Sequence, residues 1–399
     1  MDRASRVPAV SELSPGFDAR RLQRPPLSLY VHIPWCVRKC PYCDFNSHQR
    51  QGALPEDAYV DALLRDLEQS LGFVQGRSLQ SIFFGGGTPS LFSAAALDRL
   101  LCTVASRISF ADDIEITLEA NPGTAEREKF ADYRRIGINR LSIGVQSFDD
   151  LQLQHLGRIH GSEDARRAID MARTAGFDNF NIDLMYGLRA QNADAALRDL
   201  RQAIALAPEH LSWYQLTIEP NTEFYKHPPS LPEDEALIDI QDQGLALLQD
   251  QGYARYEISA FARPGRQARH NLNYWRFGDY LGIGAGAHGK ITQTEQGLIL
   301  RTRTSRQPDH YLQRAGDGFA EQAAIAESEL AIEYLLNVLR LREGFAVSAF
   351  EAATGLGFEH IEKQVLSLTA RGLLAFDQHT IRPTAKGEQF LNSVLEAFL

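Results

Sequence analysis

The stretch that most constrains this chain is Leu29-Tyr30-Val31-His32-Ile33-Pro34-Trp35-Cys36-Val37-Arg38-Lys39-Cys40-Pro41-Tyr42-Cys43-Asp44-Phe45. Three of the four cysteines in 399 residues fall within eight positions, as Cys-x-x-x-Cys-x-x-Cys, directly after a run that reads as a strand. Three thiolates on one short loop can hold three irons of a four-iron cluster, and with no fourth cysteine nearby one iron keeps an open coordination site. A Cys3His zinc site completed by His32 or His48, or a disulfide, would use the same residues differently. Cys102 stands apart among Leu97, Leu100, Leu101, Val104 and Ile108 and is expected as a packed thiol.

Composition narrows the setting. A formal charge of −10 argues against a general nucleic-acid or anionic-membrane partner, because phosphate binding needs a basic face. No apolar run approaches the length of a transmembrane helix, and residues 1–26 lack the charged start and apolar core of a secretory signal. The expectation is a cytoplasmic protein without an integral membrane segment, which suits reduced thiols. At this length one large domain plus a small one is expected.

Residues 1–26 mix Ser, Pro, Asp and Arg without period and read as a mobile leader. From Leu27 to about residue 260 short apolar strands alternate with amphipathic helices. Strands are expected near 28–33, 80–84, 114–118, 140–145, 180–184 and 211–217, with a further one at 254–258. Between them lie helices such as 55–71, where Tyr59, Leu63, Leu64, Leu67 and Leu71 mark one face, and Ser93 is placed to cap the next. This alternation builds a parallel sheet with right-handed crossovers. Six units are too few to close an eight-fold barrel, so the fold class expected is α/β, a partial (β/α)6 barrel.

The unusual residues sit toward the carboxyl ends of these strands: Gly85-Gly86-Gly87-Thr88-Pro89, Glu119-Ala120-Asn121, Gln146-Ser147-Phe148, Asp183 and Gln215. That is the edge at which βα folds bind ligands. The glycine triplet reads equally as a tight turn or as backbone approaching a ligand. Glu119 and Asp183 read as polar strand ends or as acceptors for a ribose or amino group, and Arg158 as a solvated charge or a carboxylate fork.

The cysteine spacing, with Tyr42 just before the last cysteine, resembles that of the radical S-adenosylmethionine (SAM) superfamily. The resemblance implies a [4Fe–4S] cluster on Cys36, Cys40 and Cys43 whose open iron chelates SAM. Tyr30, the glycine triplet, Glu119, Gln146, Arg158 and Asp183 resemble, in order and spacing, the SAM-contacting positions of the oxygen-independent coproporphyrinogen III oxidase family. By that resemblance Tyr30, Gly86, Glu119 and Arg158 belong to a first SAM site and Gly87, Thr88, Gln146 and Asp183 to a second, with Tyr42 and Gln215 as further contacts. The oxidases carry another cysteine two positions after the third cluster cysteine, where this chain has Phe45, and a longer N-terminal segment.

Beyond the repeat comes Arg269-His270-Asn271-Leu272-Asn273-Tyr274-Trp275. An imidazole flanked by aromatics, with Arg263, Arg266 and Arg269 upstream, has the parts of a haem site, although a buried hydrogen-bonded histidine would look the same. The His-Asn-x-x-Tyr-Trp motif resembles that of the HemW-type haem chaperones, which share the missing fourth cysteine. That branch implies haem held near His270 and delivered to respiratory haem apoproteins, with SAM and the cluster gating transfer or formation of a homodimer. The alternative is the oxidase activity itself, an oxidative decarboxylation of coproporphyrinogen III. Residues 261–325 are expected as a connecting segment around this motif. Residues 326–399 read as a small, mostly helical, winged-helix-like domain whose ten acids against six Lys and Arg are the wrong sign for DNA.

Overall fold

A computed structural model describes residues 17–124 and 127–399, without the side chains at 124 and 127. Six strands appear where the apolar runs place them: β1 (Leu27–Ile33), β2 (Leu79–Gly86), β3 (Phe110–Ala120), β4 (Arg140–Gln146), β5 (Phe180–Tyr186) and β6 (His210–Gln215). Each pairs parallel to the next. Crossover helices α1 (Glu56–Ser70), α2 (Ala94–Arg107), α3 (Arg127–Arg135), α4 (Ser162–Thr174) and α5 (Ala193–Ala205) cover the outer face. Their local causes are ordinary. Acidic Glu56 and Asp57 open α1, and Ser93 caps α2 by accepting from the amide of Ala96, 3.2 Å away. Tyr59, Leu63 and Leu67 from α1 and Leu97, Leu100, Leu101 and Val104 from α2 enter the main core with Leu29, Val31, Ile82 and Phe84.

Cys102 corrects the expectation of a packed thiol. It is exposed, and its Sγ lies 3.5 Å from Asp98 Oδ1. At 100° per residue it falls well outside the stripe defined by Leu97, Leu101, Val104 and Ile108, so proximity in sequence to buried leucines did not mean a shared face.

Residues 261–325 do more than connect. After helix α6 (Asp234–Asp250), β7 (Ala254–Arg255) and β8 (Ala260–Ala262) extend the sheet antiparallel beyond β6. Helix α7 (Arg269–Trp275) carries the His-Asn-x-x-Tyr-Trp motif. The chain then crosses to the other edge, where β9 (Asp279–Ile283) pairs parallel to β1. Strands β10 (His288–Gln293), β11 (Leu298–Arg303) and β12 (Glu321–Ala324) follow antiparallel. The result is one open twelve-stranded sheet, ordered β12-β11-β10-β9-β1-β2-β3-β4-β5-β6-β8-β7. The six parallel βα units stand as expected, and the sheet runs on past them at both edges; glycine lets β9 and β10 approach closely, since a Cβ at Gly282 would fall 1.8 Å from the carbonyl of His288.

From residue 327 a second core forms around Leu335, Phe350, Val365, Leu368 and Ile381, in a unit of helices with a three-stranded antiparallel sheet. It also takes in Leu22, Phe277 and Ile299. Here the leader expectation is corrected for residues 17–26. Asp18 and Gln23 donate backbone hydrogen bonds to Gly355 and Ala352, at 2.8 and 2.9 Å, and Leu22 is buried. Residues 1–16, the rest of that expected leader, lie outside the described residues. Among the described residues no helix is long and apolar enough to cross a membrane.

The β9 edge is fastened by a buried ion cluster. Asp279 accepts from Arg77 Nη1 at 2.7 Å, from Lys290 Nζ at 3.0 Å and from the Thr292 amide at 2.8 Å, and both Asp279 and Lys290 are fully buried. Asp279→Ala should cost about 3–5 kcal/mol, because it strands the Lys290 charge. The double variant Asp279→Leu/Lys290→Met should recover most of that loss, as measured by denaturant unfolding.

Candidate radical SAM site and a second cavity

Alternation along the parallel strands builds the site. On β4, Leu141, Ile143 and Val145 face the helices, while Arg140, Ser142, Gly144 and Gln146 line a cavity of ≈ 330 Å³ inside the curved sheet. Asn181 and Asp183 on β5, and His210, Ser212 and Tyr214 on β6, do the same. Cys36, Cys40 and Cys43 close this cavity from the loop after β1, with Tyr42, Phe45, Gly86, Gly87, Thr88, Glu119 and Arg158. The volume falls in the range of small-molecule sites.

The loops are locked together. Gly87 and Thr88 donate to the carbonyls of Ile33 and Trp35, at 2.7 and 2.8 Å, joining the glycine loop to the start of the cysteine loop. Gly86 has φ +116°, and a Cβ there would fall 2.5 Å from the His32 ring; a Cβ at Gly87 would fall 2.5 Å from the Trp35 carbonyl. Close packing against β1 at Gly86 and against the start of the cysteine loop at Gly87 thus demands glycine at both positions.

Arg158 bridges the site. Its Nη2 donates to Gly144 O at 2.7 Å, and its Nη1 lies 3.5 Å from Cys40 Sγ and 3.4 Å from the Tyr42 hydroxyl, while its buried Nε has no partner among the described residues. Gln146, at φ +73°, sits in the left-handed region that a non-glycine residue rarely adopts, and its Oε1 accepts from Tyr214 at 2.7 Å. Glu119 Oε2 accepts from the Gly86 amide at 3.1 Å. Burial first, and the nearby Asp183 second, push the Glu119 carboxyl up to about 8. Burial also raises Asp183, against hydrogen bonds from Asn181 and Ser142 at 2.6 and 3.2 Å.

Gln215 is the predicted residue that the structure does not bring here. It is exposed on β6, one position out of phase with Tyr214, whose side chain takes the place expected of it. Tyr30 also departs from the first cavity. It lines a neighbouring cavity of ≈ 480 Å³ with His32, Phe45, Gly86, Glu119, His270, Tyr274, Tyr280, His288, Arg303 and Arg306. Gly86, Glu119 and Phe45 border both spaces. His270 stacks on Phe83 and Tyr30, with ring centroids 4.4 and 6.2 Å apart, and its buried Nδ1 has no partner among the described residues. Burial, then Arg140, lowers His270 to about 3, so the ring is neutral.

The three thiols fit a cluster. They line one space, as three cysteines that share a cluster must. Both His32 nitrogens are engaged, by the Tyr30 hydroxyl and the Asn46 carbonyl at 2.9 Å each, so His32 is no zinc ligand. His48 bonds Asn46 Oδ1 at 3.3 Å and lines neither cavity. As a thiol Cys36 is pushed up to about 11 by burial, so a bound metal is what would hold it deprotonated.

Ser142, Asn181, His210, Ser212, Tyr214, His288, Arg303 and Arg306 were not anticipated. The first five were signalled by polar residues at every second position of apolar strands. The last three follow from the β9–β12 extension, which no local pattern announced.

Comparison with known proteins agrees with this architecture. Residues 30–203 match the radical SAM superfamily and residues 325–390 the HemN C-terminal domain. A solved structure of coproporphyrinogen III oxidase (HemN) from Escherichia coli superposes with a TM-score of 0.79 at 26% identity, covering 95% of this chain and 91% of that one. The class is therefore a radical SAM α/β protein with a HemN-type C-terminal domain.

Haem chaperone HemW of Escherichia coli (strain K12) is 52% identical over 375 residues, 94% of this chain and 98% of that protein. Haem chaperone HemW of Bacillus subtilis (strain 168) is 33% identical over 93% and 99%. The mitochondrial radical S-adenosyl methionine domain-containing protein 1 of Mus musculus is 36% identical over 93% and 87%. The chain belongs to the HemW family.

Glu119 gives a test of the site's electrostatics. A carboxyl raised from 4.5 to about 8 stabilises the fold fully below the lower value, and that contribution is lost as pH rises through about 8. Ligand-free Glu119→Gln should stay close to the wild type near pH 5 and exceed it in Tm above pH 8, by up to roughly 5 kcal/mol for a shift of this size. Thermal scans across pH check this.

Proposed function

We propose that this protein is a cytoplasmic haem chaperone on a radical SAM scaffold, holding a [4Fe–4S] cluster and SAM in the first cavity and haem in the second, and delivering the haem to respiratory haem proteins. The observation that carries the reading is the second cavity itself. It sets the motif histidine, aromatic faces and two guanidiniums beside the radical SAM site, the combination an iron porphyrin with propionates requires. The HemW name of its relatives supports it.

Cys36, Cys40 and Cys43 would hold the cluster. Bound, such a cluster supplies an electron and an open iron. Glu119 and Asp183 favour a cationic guest, since their ionisation is opposed until positive charge arrives. SAM, with its sulfonium and ammonium, is such a guest, and Arg158 is available to its carboxylate. Gly86 and Glu119, common to both cavities, can relay SAM occupancy to the haem side. Phe45, 61% exposed, stands where the oxidases have their further cysteine and borders both cavities. That bulky apolar side chain favours carriage over turnover. A homodimer is the form in which such gating could operate on a second copy.

Cluster-reconstituted protein with SAM should bind haemin stoichiometrically, should lose about tenfold or more in affinity as His270→Ala, and should yield no decarboxylated product from coproporphyrinogen III under reducing, oxygen-free conditions. Product above a cluster-free control would instead establish the oxidase. SAM binding at pH 7 should release up to about one proton as Glu119 ionises. Calorimetry in two buffers of different ionisation enthalpy measures it, and Glu119→Gln should abolish the difference.

A further inference from the structure

The second cavity contains more than the motif histidine, and its other polar residues have definite places. His288 opens β10 and is paired across the ladder with Arg303 on β11, so both side chains share one face of the hairpin. Arg306 follows on the loop after β11. Its carbonyl accepts from Asn46 Nδ2 at 2.9 Å, and the same amide donates to Ala285 O at 2.8 Å. Asn46 lies three residues past the last cluster cysteine, so the cysteine loop and the rim of the second cavity are one hydrogen-bonded unit.

The three histidines of this cavity differ in what they can do. His32 has both nitrogens committed and packs against Gly86. His270 lies in the ring stack with a buried nitrogen that has no partner among the described residues. His288 is exposed at the cavity wall, and among the described residues neither of its ring nitrogens makes a hydrogen bond. An imidazole nitrogen that is not committed to a hydrogen bond can offer its lone pair to a metal. Arg303 pairs with Glu321 at 2.7 Å, and its buried Nε has no partner among the described residues. Arg306 forms no ion pair among the described residues. Two guanidiniums beside an uncommitted imidazole offer a planar anion fork next to a metal ligand.

We propose that His288 is a second axial ligand to the haem iron, paired with His270, and that Arg303 and Arg306 bind the haem propionates. The assignment rests on the chaperone reading and goes beyond the His-Asn-x-x-Tyr-Trp motif. The cargo is held between helix α7 and the β10–β11 hairpin. On the exposed side His288 would be the ligand that a recipient's own side chain could displace.

The test uses the full chain with its cluster reconstituted and three probes: haemin, haemin dimethyl ester and iron-free protoporphyrin. Resonance Raman spin-state bands of bound haemin separate six-coordinate from five-coordinate iron without interference from the cluster. Wild type should be low-spin. His288→Ala should still bind haemin but turn high-spin, with affinity down about tenfold, and added imidazole should restore the low-spin bands. Protoporphyrin binding should be unchanged by His288→Ala. Arg303→Gln/Arg306→Gln should weaken haemin and protoporphyrin about tenfold yet leave the diester unaffected. A low-spin His288→Ala complex of undiminished affinity, or an arginine variant that distinguishes haemin from its diester as the wild type does, would overturn the assignment while leaving the chaperone reading standing. Wild type that binds no haemin overturns both.

Discussion

Alternate residues on β4, β5 and β6, most of them polar, turn to the inside of the curved sheet, and the rest of the molecule has to accommodate that face. Arg140, Ser142, Asn181, Asp183, His210 and Ser212 cannot be covered by leucines without losing their hydrogen bonds. They are satisfied partly by one another, as in the Asn181 bonds to Ser142, Asp183 and His210 at 2.9, 2.6 and 2.7 Å. Arg140 and Arg158 keep buried nitrogens that have no partners among the described residues, and Glu119 and Asp183 resist ionisation. An interior of that kind is built for a polar guest, and the cysteine loop closes over it.

The second consequence concerns the edge beside β1. A six-stranded half-barrel would leave β1 as an edge; here β9 pairs with it, and β10–β12 continue the sheet. The Asp279–Lys290–Arg77 cluster fixes that extension, and the extension supplies one wall of the second cavity while α7 supplies another. The two cavities meet at Gly86 and Glu119. A change in charge at Glu119 on one side therefore alters the lining of the other, with no moving element required.

The legible parts of this chain are those governed by local pattern. The strands and crossover helices follow from period and caps, and Cys36, Cys40, Cys43, Gly86, Gly87, Thr88, Glu119, Gln146, Arg158 and Asp183 do share one cavity. Gln215 shows the limit of that reading: in a strand the side chain's face flips with each residue, so naming the strand end without fixing its phase chose the wrong neighbour of Tyr214. Cys102 is the helical version of the same error. Residues 17–26 are ordered by the C-terminal unit, more than 300 positions away, and β9 is recruited by β1 across the whole repeat. Pairing at such separations leaves no trace in a local window, so the second cavity and its arginines were invisible until the strands were assembled.

The central claim is that two adjoining cavities hold two different cargoes, and iron itself can report it. Anomalous diffraction at the iron edge from crystals of the protein loaded with cluster, SAM and haemin should show a compact multi-iron peak against Cys36, Cys40 and Cys43, and a separate single-iron peak in the cavity lined by His270 and His288. A haem iron lying outside that second cavity, or a porphyrin occupying the space between Glu119 and Asp183 where SAM is placed, would contradict the account.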